Sequence, residues 1–160
     1  MEIRIAGESD LEALMSLVNQ AFEVEKFFLS GERLDAERTL EYFWKGRFLL
    51  AEDEGGLAGC AYVELRGDRA YLGLLSVDPA RQKSGLGRRL TAAAEEFARE
   101  MGARAMDLTV VNLRTELPPF YLKLGYRLDG TEPIRAEMVP RARVPCHFIR
   151  MTKALGDAEN

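Results

Sequence analysis

Val77-Asp78-Pro79-Ala80-Arg81-Gln82-Lys83-Ser84-Gly85-Leu86-Gly87-Arg88-Arg89-Leu90 is the stretch on which the reading of this chain turns. Before it lies an apolar run of strand formers. After it Leu86, Leu90, Ala94, Phe97 and Met101 recur on one helical face, stopped by Gly102. A strand thus turns into a helix at glycines that carry no side chain, and several N–H groups can converge on one anion at the positive helix end. Arg81, Lys83, Arg88 and Arg89 add four cations within nine residues that contain no acid. This is the composition of a diphosphate cradle; the plain alternative is a loop with a solvated basic helix start. Two other nucleotide motifs fail on the same letters. A P-loop needs Gly-Lys followed by Ser or Thr, and the chain has no Gly-Lys dipeptide. A dinucleotide fingerprint needs a third glycine where Leu90 stands.

Outward from this turn the period of the apolar residues alternates between strand and helix. Glu2 to Ala6 reads as a short strand, and Ser9 and Glu12 have capping-box spacing ahead of a helix from about residue 10 to 22. An irregular connection follows from Glu23 to Arg33, then a second helix from Asp35 to about Trp44. Arg47 to Glu52, Leu57 to Arg66 and Ala70 to Val77 are strands separated by short turns, an antiparallel meander. Beyond the glycine-loop helix, Met106 to Val111 is a strand, Pro119 to Leu124 a short helix, and Tyr126 to Leu128 the start of a further strand. A loop with Pro133, Pro140 and Pro145 leads to a last strand, Cys146 to Lys153. The order β-α-α-β-β-β-α-β-α-β-β predicts a mixed α/β fold with a largely antiparallel central sheet flanked by helices. The unit from Leu72 to Val111 contributes one parallel crossover.

At 160 residues, 47% apolar and 30% charged, the chain reads as one domain over 1–155 with a frayed tail at 156–160. A chain of this length buries roughly 70% of its unfolded surface and needs neither disulfides nor a structural metal. A net charge of −4 argues against general affinity for nucleic acid or anionic membrane, so any anion must be held by a local basic site. Two cysteines and one histidine make neither a disulfide framework nor a His-rich metal site. With no signal-peptide pattern at the start, a cytoplasmic setting is expected. Oligomeric state stays open, a homodimer among the options.

Gln82-Lys83-Ser84-Gly85-Leu86-Gly87, placed after Val77-x-Pro79, is similar to the Gln/Arg-x-x-Gly-x-Gly/Ala signature of the GNAT superfamily of N-acetyltransferases. Phe120-Tyr121-Leu122-Lys123-Leu124-Gly125-Tyr126 resembles that family's Phe-Tyr-x-x-Leu-Gly-Phe segment. The element order agrees with the family fold, so the resemblance covers nearly the whole chain. Departures are Arg81 in place of an aromatic, Lys83 in place of a glycine, and a longer, proline-bearing spacer after Asn112.

The resemblance implies acetyl-CoA as co-substrate and a primary amine of a small molecule, amino acid or peptide as acceptor. It places the pantetheine arm between the strands ending at Val77 and Val111, against the backbone of Leu75, Ser76 and Val77. The diphosphate would lie on Gln82, Lys83, Ser84, Gly85, Leu86, Gly87 and Arg88, with Asn112 as a further cofactor contact. No metal is implied. Tyr121 would protonate the leaving thiolate. A lysine-like amine with a pKa near ~10.4 is neutral about once in 2,500 molecules at pH 7, so desolvation or a base must help. Glu64 and Glu116 are the candidate bases, with a water chain as the alternative. Cys60 and Cys146 read as small core residues and His147 as a structural ring, which favours direct attack over an acyl-cysteine. The acceptor groove would be walled by Phe22 to Arg38 and Asp129 to Pro145, the first richer in acids, the second in arginines. That pairing suits an acceptor with both an amine and an acid group. A non-catalytic acyl-CoA binding or sensing module is the rival reading.

Overall fold

In chain order the elements are β1 (Glu2–Ile5), α1 (Leu11–Ala21), α2 (Ala36–Lys45), β2 (Arg47–Asp53), β3 (Gly56–Arg66), β4 (Arg69–Val77), α3 (Leu86–Glu100), β5 (Ala105–Val111), α4 (Leu117–Lys123), β6 (Arg127–Pro133) and β7 (His147–Ala154). They are seen in a computed structural model that describes residues 1–82 and 84–156. The expected tail beyond Gly156 lies outside those residues.

The strands form one seven-stranded sheet in the order β1-β2-β3-β4-β5-β7-β6. Every pair is antiparallel except β4 with β5, whose parallel pairing requires the crossover through α3. The mixed α/β architecture with a largely antiparallel sheet is thus the one the sequence predicts. One face carries α3 and α4, packed through Leu86, Leu90, Ala94 and Tyr121 onto Val63, Leu72 and Met106. The other carries α1, with Leu14, Leu17 and Val18 on Phe48, Cys60 and Tyr62. A third, smaller cluster of Phe28, Leu29, Val111, Met138 and Phe148 lies where two loops cover the ends of β5 and β7. Among the described residues no helix is long and apolar enough to cross a membrane.

Local boundaries differ from expectation where a neighbour in space competes. The first helix is not capped by Ser9 and Glu12. Asp10 instead accepts from the Gly7 N–H at 2.8 Å, held there by Arg4 at 2.8 and 2.9 Å, and a 3-10 turn over Glu8–Asp10 precedes α1. Asp35 caps α2, accepting from the Arg38 N–H at 2.7 Å. The short helix α4 begins at Leu117, because Pro118 and Pro119 fit its first turn, where their missing N–H groups cost nothing. On the sheet edge, β6 continues to Pro133 through an irregularity between Leu128 and Thr131.

Gly59 on β3 sets how closely α3 approaches the sheet. A Cβ there would meet Leu90 Cδ1 at 2.8 Å and the Ser76 carbonyl oxygen at 2.9 Å. The leucine can turn aside, but the carbonyl belongs to β4. Gly59→Ala should therefore lower stability by ~1–3 kcal/mol, measured as a reduced urea midpoint at unchanged slope. An unchanged midpoint would show that α3 shifts freely.

Candidate active site

The parallel ladder between β4 and β5 is short. Arg69 pairs with Ala105, Ala70 with Met106 and Tyr71 with Asp107, and there it stops. Beyond that point β4 stays with β3 as far as Val77 opposite Gly59, while β5 follows β7 as far as Val111 opposite Phe148. The two strands part, and the β4 edge from Leu72 to Val77 faces a gap with no strand partner. Tyr71 and Thr109, hydroxyls 3.4 Å apart, stand at its narrow end.

Within that edge β4 carries a bulge. Leu74 and Leu75 together oppose Ala61, and Leu74 has φ of 51°, a left-handed conformation rare for a leucine. The extra residue reverses the alternation of side chains. Ala70 and Leu72 face the α3 side before it, Leu75 and Val77 after it. Ser76 Oγ donates to the Leu74 carbonyl at 2.9 Å, and Cys60 Sγ lies 3.6 Å from the same oxygen. Ser76 therefore spends its side chain on holding the bulge, while in the ladder it pairs with Cys60 on β3. Burial pushes the Cys60 thiol up to about 12, which makes it inert as a nucleophile.

The glycine loop enters α3 through Gly85, whose φ of 79° is left-handed and around which, among the described residues, a Cβ would meet nothing within 4 Å. Gly87 has a different reason. A Cβ there would lie 3.4 Å from Phe120 Cζ, so its absence lets α4 close on the start of α3. The described cations of the loop do not act together. Arg81 is engaged by Asp53 at 2.7 and 2.6 Å and by Asp78, and Arg89 donates to the Met1 carbonyl at 3.3 Å. Arg88 is exposed at the helix start, as are Gln82 and Ser84 nearby, the latter donating to the Arg81 carbonyl at 2.6 Å; Leu86 is buried. Lys83 lies outside the described residues. An open left-handed glycine at a helix N-terminus, next to an unpaired strand edge, suits an extended ligand with amides along it and phosphates at its end.

At the other end of the gap is a cavity of about 110 Å³ lined by Tyr71, Tyr121, Glu25, Arg33, Arg114 and Arg135 along with apolar residues. Tyr121 is 6% exposed, and among the described residues its hydroxyl has no hydrogen-bond partner. Its ring packs edge-on against Phe120 and Tyr126, at 5.0 and 5.6 Å. Burial, with a contribution from Tyr71, pushes its phenol above the ordinary range, so it holds its proton at neutral pH. Glu25 is buried and accepts from Arg114 Nη1 at 2.8 Å. Burial raises its carboxyl, Arg114 and Arg33 pull it back, and the net direction is upward.

The candidate bases read from sequence lie elsewhere. Glu64 sits across from Tyr71 on β3 and lines an adjoining groove, where it accepts from Tyr62 at 2.7 Å and Arg66 at 2.7 Å. Burial works to raise it, but these two bonds leave it below its ordinary range. Glu116 is exposed and holds Arg114 at 3.0 Å. Asn112 receives the His147 N–H on its side-chain oxygen at 2.9 Å, tying the end of β5 to the start of β7. Its amide nitrogen is what it has left for a ligand.

The two expected walls of the acceptor groove are one structure. Leu29 forms a bridge with Ala142, Ser30 N–H donates to the Arg141 carbonyl at 2.8 Å, and Arg143 N–H to the Phe28 carbonyl at 2.8 Å. Arg141 adds bonds to the carbonyls of Ser30 and Glu32, both at 2.7 Å. Arg141 is thus a clasp between walls, and Glu25, Arg33 and Arg135 are the charges that reach the cavity from them. In the sequence Glu25 is one of several acids in a charged segment and does not stand out. Its signal was the pairing of an acid with the aromatic residues Phe22 and Phe28 on a segment that must cover a core.

Comparison with known proteins agrees with this geometry. The chain is 28% identical over 134 residues to the mycothiol acetyltransferase of Amycolatopsis mediterranei, which covers 77% of this chain but 44% of that protein. It is 26% identical over 129 residues to the protein YyaT of Bacillus subtilis, covering 81% and 84% of the two chains. The chain thus spans less than half the length of the mycothiol acetyltransferases it matches. Among solved structures, the ribosomal-protein-alanine N-acetyltransferase of Brucella melitensis superposes with a TM-score of 0.76 at 22% identity, over 96% of this chain and 99% of that one. YncA of Salmonella typhimurium, solved with its cofactor acetyl-CoA, superposes with a TM-score of 0.76 at 21% identity, over 98% and 95%. Residues 11–126, which include the parted strands, the glycine loop and the tyrosine segment, match the acetyltransferase (GNAT) family, and the chain belongs to it.

Proposed function

We propose that the protein is an N-acetyltransferase that moves an acetyl group from acetyl-CoA to a primary amine by direct attack. The observation that carries this reading is the parting of β4 from β5, with the Gly85 loop at one end and the Tyr121 cavity at the other. When bound, acetyl-CoA supplies an acetyl thioester and a thiolate leaving group. The free β4 edge at Leu75 and Val77, on either side of the Cys60-paired Ser76, pairs with its amides. Gly85 and Arg88 receive the phosphates. Tyr121 gives its phenolic proton to the departing sulfur, a transfer from a phenol to a thiolate that runs only if the phenol starts protonated.

The incoming amine must lose a proton, and two carboxylates compete for it. Glu25 lines the cavity; Glu64 stands in the groove beyond Tyr71. Glu25 has the upward shift that a base working near neutral pH needs, so we assign the role to it ahead of Glu64. A base fails as it becomes protonated. kcat should therefore fall on the acid side through the raised Glu25 range, and Glu25→Gln should cost about tenfold and remove that limb. Glu64→Gln should leave the limb in place. If only Glu64→Gln removes it, the assignment reverses.

The test of the function is thiol release from acetyl-CoA in the presence of small amines, amino acids, polyamines and peptides. Release that depends on the amine, with the N-acetylated product identified by mass, is expected. Tight acetyl-CoA binding with no release for any amine would favour the binding or sensing module.

A further inference from the structure

The cavity beside Tyr121 is lined by a guanidinium with one nitrogen unspent. Arg135 Nη2 is sealed from solvent and has no hydrogen-bond partner among the described residues, where it is the one such side-chain atom. The group is anchored through its Nε and one face. Its Nε lies 3.2 Å from Glu137 Oε1, and its guanidinium stands 5.4 Å from the centre of the Phe148 ring. The side chain as a whole is 35% exposed, yet this one nitrogen, Nη2, is a buried donor that calls for an acceptor.

The neighbours say which kind. The cavity is lined by Arg33, Arg114 and Arg135 against a single carboxylate, Glu25. Arg114 is spoken for by Glu25 and Glu116. Arg33 lies 5.5 Å from the Phe22 ring centre, with no carboxylate partner among the described residues. Glu116 and Glu137 offset some of this charge from the solvent side, where their own side chains are more than 45% exposed and screened. Inside, two guanidinium groups remain for one anion, the donor set that a carboxylate fills with paired bonds.

We propose that the acceptor amine carries a carboxylate, as a free amino acid does, and that Arg135 with Arg33 holds it while the amine is turned toward Tyr121. A peptide N-terminus has no carboxylate beside its amine and would leave Arg135 unpaired. Phe22, Met138 and Phe148, which line the same cavity, favour an apolar side chain on that acceptor. This assignment rests on the acetyl-transfer reading for its meaning but not for its test.

The test uses phenylalanine, phenylalaninamide and phenethylamine, titrated calorimetrically into the full chain saturated with CoA. Wild type should bind phenylalanine at least about 30-fold more tightly than the other two, and Arg135→Gln should reduce that preference to within about threefold. Arg135→Lys should restore part of it, because it returns the charge but not the fork. Affinity for CoA should not change in either variant. The same three amines then serve as acceptors, with kcat/KM referred to the neutral amine fraction, and should repeat the order. Equal binding of the three amines, or an equal loss for all three in Arg135→Gln, overturns the proposal. Discrimination in binding without any thiol release supports the carboxylate site and overturns acetyl transfer instead, so the two failures are distinct.

Discussion

Gly85→Glu is expected to abolish CoA binding in a protein that still folds. Gly85 has φ of 79°, so any side chain there costs ~1–2 kcal/mol of backbone strain. For a domain of this length that is a fall in Tm of roughly 2–8 °C, visible by circular dichroism but short of unfolding. Among the described residues a Cβ at the position meets nothing within 4 Å, so the strain is the local cost there. The carboxylate is the larger matter, since it projects from the N-terminus of α3 into the space proposed for the phosphates and repels them. A loss of at least ~100-fold in affinity is expected by calorimetry. Gly85→Ala carries the same strain without charge or length and should keep binding within about tenfold. Wild-type affinity in a folded Gly85→Glu protein would remove the loop from the site.

Tyr121→Phe should lower kcat by ~100-fold or less while leaving the Kd for acetyl-CoA where it was. The ring is the structural part of this residue. It packs on Phe120 and Tyr126, and phenylalanine keeps those contacts. The hydroxyl, without a partner among the described residues, is the part that faces the cavity. The ceiling is set by the leaving group, because a thiolate departs fairly well unaided. The sign of the pH effect follows from burial, which pushes the phenol upward and keeps the acid form present as pH rises. No alkaline limb should therefore appear in wild-type kcat below about pH 10, the ordinary phenol range. An unchanged kcat in Tyr121→Phe, with pre-steady-state traces showing chemistry to be rate-limiting, would leave Tyr121 a packing residue.

The order of elements, the mixed sheet and the family were legible in the residues because their signals are local. Periods of two and 3.6 appear within one segment, and Gly85 and Gly87 mark a strand-to-helix turn within the same short stretch. Tyr121 was legible for the same reason, as part of a short motif. Charge was not. Arg81 reads as one of four loop cations and is held by Asp53, 28 residues away. Asn112 is a cofactor contact by the family resemblance, and its side-chain oxygen is engaged by the His147 N–H, 35 residues on.

What the sequence determined alone is therefore the set of elements, their order and the loop and tyrosine motifs that name the family. The tertiary structure decided where β4 leaves β5, how Leu74 turns the strand, which acid is buried beside Arg114 and which arginine nitrogen is left without a partner among the described residues. Glu25 meets Arg114 across 89 positions, and Arg141 meets Ser30 across 111. A charge written in a loop can be solvated, paired or sealed in a cavity. Those outcomes differ by the desolvation of the group and by its partners, which exist only once distant segments have packed.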